Sequence, residues 1–171
     1  MVGERLQVSV VQGSILDMEV QAIVNAANSR GIMGGGVAGV IRLAAGSEVD
    51  EEAQRQAPIP VGSAVLTSGG RTRFQAIIHA PTMSEPGMRI EPRNVALATR
   101  AALVLADARG FVSVAIPGMG TGVGGVFHAD AAAMMIKEVR AFMARTLKSV
   151  VLVDVDPTMV QAWHEALKES P

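Results

Sequence analysis

The sequence predicts an α/β domain whose sheet is covered on both faces, and three observations carry that prediction. Segments with strand-like and helix-like periodicity alternate along the 171 residues. The strand candidates include the continuous apolar runs Ala22-Ile-Val24 and Val150-Val-Leu-Val153, the pattern of strands buried on both faces. No linker, internal repeat or low-complexity stretch interrupts the alternation, so residues 1–171 read as one domain, long enough for a full hydrophobic core.

Arg5–Val11 alternates, with Leu6, Val8 and Val10 on one face, as in a strand open on one side. Gly13-Ser14-Ile15-Leu16 is a turn. Gln21–Ala27 is an internal strand. Three glycines, Gly34-Gly35-Gly36, then open an apolar helix over 36–45, which Gly46 ends. Ser47 is expected to cap a second helical piece, with Asp50 as the acidic member of a capping box, and Pro58 and Pro60 stop it. Ser63–Thr67 and Gln75–Ala80 are strands joined through Ser68-Gly69-Gly70-Arg71 as a hairpin. Pro81–Pro92 has no apolar period and is a loop. Arg93–Arg109 is a long helix whose polar residues Arg93, Arg100 and Asp107 recur every seven, one narrow stripe on an apolar cylinder. Phe111–Ile116 is a strand closed by Pro117. Asp130–Arg145 is a helix with Met135, Val139 and Phe142 inward. Val150–Val153 is a short strand and Thr158–Lys168 the last helix.

Composition narrows the function. Hydrophobic residues make up 49% and charged residues 18%, which excludes a disordered chain. The net charge of −1 argues against a general nucleic-acid binder. The absence of cysteine excludes disulfides, thiolate chemistry and cysteine–zinc sites, and three scattered histidines form no metal site. No signal core or membrane-spanning apolar run is present, so a cytoplasmic protein without a membrane partner is expected.

Two glycine clusters hold the functional signal. Each stands between a buried strand and a helix. Val24-Asn-Ala-Ala-Asn28 leads into Gly34–Gly36, and Ile116-Pro117 leads into Gly118-Met-Gly-Thr-Gly-Val-Gly-Gly125. Without side chains, a row of backbone N–H groups is open at the positive end of a helix dipole, a seat for phosphate. Two such loops at one sheet edge suit a diphosphate ligand. Gly120, Gly122 and Gly125 also match the dinucleotide spacing G-x-G-x-x-G, with Asp154 as the ribose-binding acid of an NAD-linked oxidoreductase. That reading is weakened because Asp154 lies further on than the usual ~20 residues and only seventeen residues follow it.

Val24-Asn-Ala-Ala-Asn28, Gly34-Gly-Gly-Val-Ala-Gly-Val-Ile41, Ile77-Ile-His-Ala-Pro81 and Ile116–Gly125 occur in one order and at spacings that resemble the macrodomain, the ADP-ribose-binding module. The resemblance covers nearly all of the chain. It implies a three-layer α/β/α fold around a mixed, mostly parallel sheet of about six strands. It implies that Gly35, Gly36 and Val37 cradle the proximal phosphate and part of the distal ribose, with Gly34 and Ala38 also at the ligand, and that Gly120, Thr121, Gly122 and Val123 wrap the distal phosphate, with Gly124 near the distal ribose. Asn28 would bond the distal ribose and is the one catalytic candidate. Ser14 and Ile15 would sit at the adenine, flanked by Asp154 and Val155. No cofactor and no metal is implied. The partner would be ADP-ribose or a related nucleotide, and by extension an ADP-ribosylated protein.

The chain departs from the family at four positions. Ser14 replaces a common aspartate, so it can accept from the adenine amino group only without charge, a loss of about 1–2 kcal/mol of discrimination. Gly124 and Val155 stand where many members place aromatics. Ala38 follows the glycines where family hydrolases carry an aspartate that activates water. No other carboxylate in either loop is assignable as a general base. Two functions stay open: an ADP-ribose binder with slow hydrolysis of ADP-ribose-1″-phosphate, O-acetyl-ADP-ribose or protein-linked mono-ADP-ribose, favoured by the single-domain length, and a reader without chemistry, favoured by Ala38.

Other polar residues have structural readings. Asn25 bonds loop backbone, His79 is a sheet-end histidine bonded to backbone, and His128 starts a helix. His164, Arg30, Arg42, Arg71 and Arg73 are solvated, and Trp163 is core or a dimer contact.

Overall fold

The computed structural model describes residues 3–169. Six strands form one sheet: β2 (Gln7–Gln12), β3 (Ala22–Asn28), β4 (Val65–Ser68), β5 (Ala76–Met83), β6 (Ser113–Ile116) and β8 (Ser149–Asp154). Their order is β2-β8-β6-β3-β5-β4, parallel throughout except for β4, which is antiparallel to β5. A second, two-stranded antiparallel sheet joins β1 (Glu4–Arg5) to β7 (Met143–Ala144). The five helices are α1 (Gly36–Ala45), α2 (Ser47–Arg55), α3 (Pro92–Ala108), α4 (His128–Ala141) and α5 (Pro157–Glu169). None is long and apolar enough to cross a membrane among the described residues.

Alternation along the central strands builds two cores, because successive side chains point to opposite faces. Ala22 and Val24 of β3, and Ala76, Ile78 and Ala80 of β5, belong to one buried cluster with residues of α3, α4 and α5. Ile23 and Ile77 face the other way, onto Ile41 of α1 and Val49 of α2. The result is the expected three-layer α/β/α arrangement. It aligns the carboxyl ends of β2, β8, β6, β3 and β5 along one edge, where ligands of open α/β sheets bind.

Several local expectations needed correction. Ser47 is the first helical residue, not the cap; Gly46 caps α2 without a side-chain bond. Asp50 is turned away from its own helix end. The fourth helix ends at Ala141, not Arg145: Met143 and Ala144 pair with β1, and the Asp107 carboxylate accepts the N–H groups of Arg145, Thr146 and Leu147. Apolar period alone cannot register that capture by a residue 38 or more positions away. Arg73 is anchored rather than free, donating to Met18 O at 2.6 Å with its guanidinium 5.3 Å from the Phe74 ring centre.

His79 is fully buried, but its partners are side chains rather than backbone. Asn25 Nδ2 lies 3.1 Å from Nδ1, and Thr67 Oγ1 lies 2.9 Å from Nε2. With Asn25 Nδ2 donating to Nδ1, Nε2 carries the proton and donates to Thr67 Oγ1, whose hydroxyl donates to Ser68 O. Burial lowers the His79 pKa to about 4 despite the opposing pull of the Glu52 and Asp50 carboxylates. Trp163 is wholly buried in the core between the sheet and α4 and α5.

Candidate functional site

A cleft of about 610 Å³ opens along the carboxyl edge of the sheet. Its floor is Ala26–Asn28 at the end of β3 and Pro117–Gly118 after β6. One wall is Gly34–Ala38 and Val40, the entry to α1. The facing wall is Gly120–Gly124. One end is closed by Gly13, Ser14, Ile15 and Val153–Val155, the other by Thr82, Met83, Pro86 and Gly87. Every residue singled out from the sequence therefore lies on one cleft: Ser14, Ile15, Asn28, Gly34 to Ala38, Gly120 to Gly124, Asp154 and Val155. The volume is that of a small-molecule site.

Both glycine loops present unused donors. Among the described residues, no acceptor meets the N–H groups of Gly34, Gly35 or Gly36, nor those of Gly120 through Gly124. A Cβ placed on Gly34, Gly35, Gly36 or Gly122 would meet nothing within 4 Å, so these backbones face open space. Gly36 has φ +60, which lets the chain turn into α1 with its first N–H groups aimed at the cleft. Gly120 has φ +77 and lies under Ile90 and Val95, where a Cβ would be 2.7 Å from Val95 Cγ2. Among the described residues, Asp154 is the one charged residue lining the cleft. An anion here would be held by fixed peptide dipoles and the α1 terminus, not by side-chain cations.

Several predicted side chains are already committed. Asn28 Oδ1 accepts from Arg30 N at 3.1 Å and Ile32 N at 3.3 Å, and its Nδ2 donates to Ile32 O at 2.8 Å. One N–H of the amide is left for a ligand, so Asn28 can donate but has no lone pair for a proton. Asp154 Oδ2 accepts Gly118 N at 3.1 Å and Oδ1 accepts Asp156 N at 2.9 Å. That carboxylate ties the end of β8 to the start of the second glycine loop. Ser14 Oγ accepts from Leu16 N at 3.2 Å as the cap of a 3-10 turn, leaving its hydroxyl proton and one lone pair free.

The sequence reading missed the wall at Thr82–Gly87. It is clipped to the second glycine loop by Ile90 N–Gly124 O at 2.9 Å and to the first by the Arg30–Glu85 ion pair at 3.3 Å. The segment carries no glycine cluster or period that marks it; Pro86-Gly87 reads only as a turn.

Fold and cleft together define an α/β protein with a cleft across the carboxyl ends of its parallel strands, lined by two glycine loops. The Macro domain family model matches residues 24–135, and the chain belongs to that family. It is similar to a protein of Aquifex aeolicus, 54% identical over 162 residues that cover 95% of this chain and 98% of the relative. It is 35% identical to the O-acetyl-ADP-ribose deacetylase of Klebsiella pneumoniae, covering 97% and 99% of the two chains. Among solved structures it resembles a mutant Oceanobacillus iheyensis macrodomain with ADPR, at TM-score 0.86 and 26% identity, covering 99% and 97%. The Trypanosoma brucei macrodomain in complex with ADP-ribose superposes at TM-score 0.83 with 25% identity, covering 94% of this chain and 68% of that one.

Proposed function

We propose that the protein binds ADP-ribose or a close derivative, with the diphosphate between the two glycine loops. The observation that carries this reading is the pair of facing walls, Gly34–Gly36 and Gly120–Gly124, whose N–H groups are unused in a cleft without cations. Gly34, Gly35, Gly36, Val37 and Ala38 take one phosphate, and Gly120, Thr121, Gly122, Val123 and Gly124 take the other. The nucleobase lies at Ser14, Ile15 and Val155. The distal ribose lies at Asn28, which donates its remaining N–H. The likeness to solved macrodomains in complex with ADPR and ADP-ribose supports this ligand.

A second reading is slow release of the acetyl group from O-acetyl-ADP-ribose, supported by the likeness to the Klebsiella pneumoniae deacetylase. In this chain such a step has no protein general base. Ala38 is apolar, Asn28 Oδ1 is occupied, and the carboxylate of Asp154 stands at the nucleobase end of the cleft beside Gly13, away from the ribose placed at Asn28. The residues then hold and orient the ligand while water attacks unaided, which makes binding the dominant property.

Calorimetric titration with ADP-ribose, AMP and NAD tests the first reading. ADP-ribose binds more tightly than either comparator; no heat with ADP-ribose and no thermal shift would refute it. Acetate release from O-acetyl-ADP-ribose tests the second, with the uncatalysed rate as reference.

A further inference from the structure

Behind the first glycine loop sits a carboxylate that does not line the cleft. Asp50, in the first turn of α2, is 8% exposed. Its Oδ1 accepts the Met33 N–H at 2.8 Å, and Arg42 Nε of α1 lies 3.2 Å from its Oδ2. Met33 immediately precedes the three open N–H groups of Gly34–Gly36. A run of three glycines has no side chains to fix its peptide planes, so its orientation is imposed at its ends. One end is the first turn of α1. The other is Met33, whose amide is held by Asp50. The preceding residues are seated on the same helix: a Cβ on Gly31 would come within 2.7 Å of Ala53 O.

We propose that Asp50 is a positioning residue for anion binding at the first glycine loop. It fixes the Met33 peptide and through it the direction of the Gly34–Gly36 donors. Arg42 cancels its charge, so that the carboxylate does not repel the phosphate one loop away. This rests on the ADP-ribose reading above. Position and charge are separable by mutation: Asp50→Leu removes the acceptor, Asp50→Asn keeps an acceptor without the charge, and Arg42→Gln leaves the charge uncompensated.

The test is calorimetric titration of the full chain and these three variants with ADP-ribose, at low and raised ionic strength. Asp50→Leu is expected to weaken binding about tenfold or more at both salts, the size of one lost buried hydrogen bond to a charged group. Asp50→Asn recovers binding to within about threefold. Arg42→Gln loses affinity at low salt and regains most of it at raised salt, a signature that a merely structural contact would not give. A folded Asp50→Leu chain that binds like the wild type overturns the proposal, as does salt-independent behaviour of Arg42→Gln. If Asp50→Leu does not fold, amide exchange of the ligand-free wild type decides: Met33 N–H exchanges slowly beside freely exchanging Gly35 and Gly36, and rapid exchange at Met33 overturns the proposal. Failure of the wild type to bind ADP-ribose refutes the ligand instead. The same series is then read with inorganic pyrophosphate, and failure to bind that as well refutes both.

Discussion

Gly122→Glu is the sharpest probe of the second glycine loop. A Cβ at Gly122 meets no atom within 4 Å, and its φ is not in the left-handed range, so the backbone accepts a side chain without strain. The melting temperature should stay close to that of the wild type. The new carboxylate projects into the space where a phosphate would lie. Two unit charges about 4 Å apart repel by roughly 1 kcal/mol in bulk water and about 4 kcal/mol at an effective dielectric near 20. The cleft is open on one side and walled by protein on the other, so about 2–3 kcal/mol applies, a loss of roughly 30- to 150-fold in affinity. Gly122→Gln adds nearly the same volume without charge and should lose much less. Calorimetry with ADP-ribose on both variants, at two ionic strengths, separates the charge effect from the steric one. Equal dissociation constants for wild type and Gly122→Glu, with equal melting temperatures, would remove this loop from the ligand site.

Restoring a family aromatic by Gly124→Phe should fail to tighten binding: a Cβ there comes 2.7 Å from Gly120 O and 3.1 Å from Ile90 Cγ1, so the loop must shift, and a fall of about 1–3 kcal/mol in urea-unfolding stability is expected. Ser14→Asp keeps the cap on Leu16 N and adds a charged acceptor, so ADP-ribose should gain about 1–2 kcal/mol over its hypoxanthine analogue; unchanged selectivity in competition titrations would place the base elsewhere. Stability should fall in acid because of His79. Its pKa is about 4 in the fold against an ordinary 6.5, so the unfolded chain takes up a proton that the native state refuses. This contribution is complete above pH 6.5 and fades as pH drops toward 4, by up to about 1.4 kcal/mol per pH unit and about 3 kcal/mol in all. Urea unfolding across that range measures it, and His79→Gln should flatten the slope; an identical slope in that variant would locate the proton uptake at other groups.

Most of the framework was legible because its causes are local. Alternation in Gln21–Ala27 and Gln75–Ala80 sets which side chains face each helical layer, although the second strand runs on to Met83, where the sequence predicts a loop, and glycines at 34–36 and 120–125 set where backbone donors are left bare. These properties need only neighbours in the chain. Partner choice is different. Asp50 has the spacing of a capping residue, yet its carboxylate reaches Met33, seventeen positions away. Asp154 has the position of a ligand acid, yet its carboxylate also ties the end of its strand to the start of the second glycine loop. Asn28 was legible as a site residue, but not as one whose carbonyl oxygen is already used. The wall at Thr82–Gly87 is joined to distant segments by contacts such as Asn94 Nδ2 to Thr82 O, Ser29 N to Met83 O and Arg30 to Glu85.

By itself the sequence determined the core of the six-stranded sheet, the helices apart from their ends, and the two bare loops, since steric period and the lack of a Cβ are written residue by residue. Only the tertiary structure decided which polar groups remain free for a ligand. A donor or acceptor is available only after the fold has spent the others, and that accounting closes across contacts far apart in the chain.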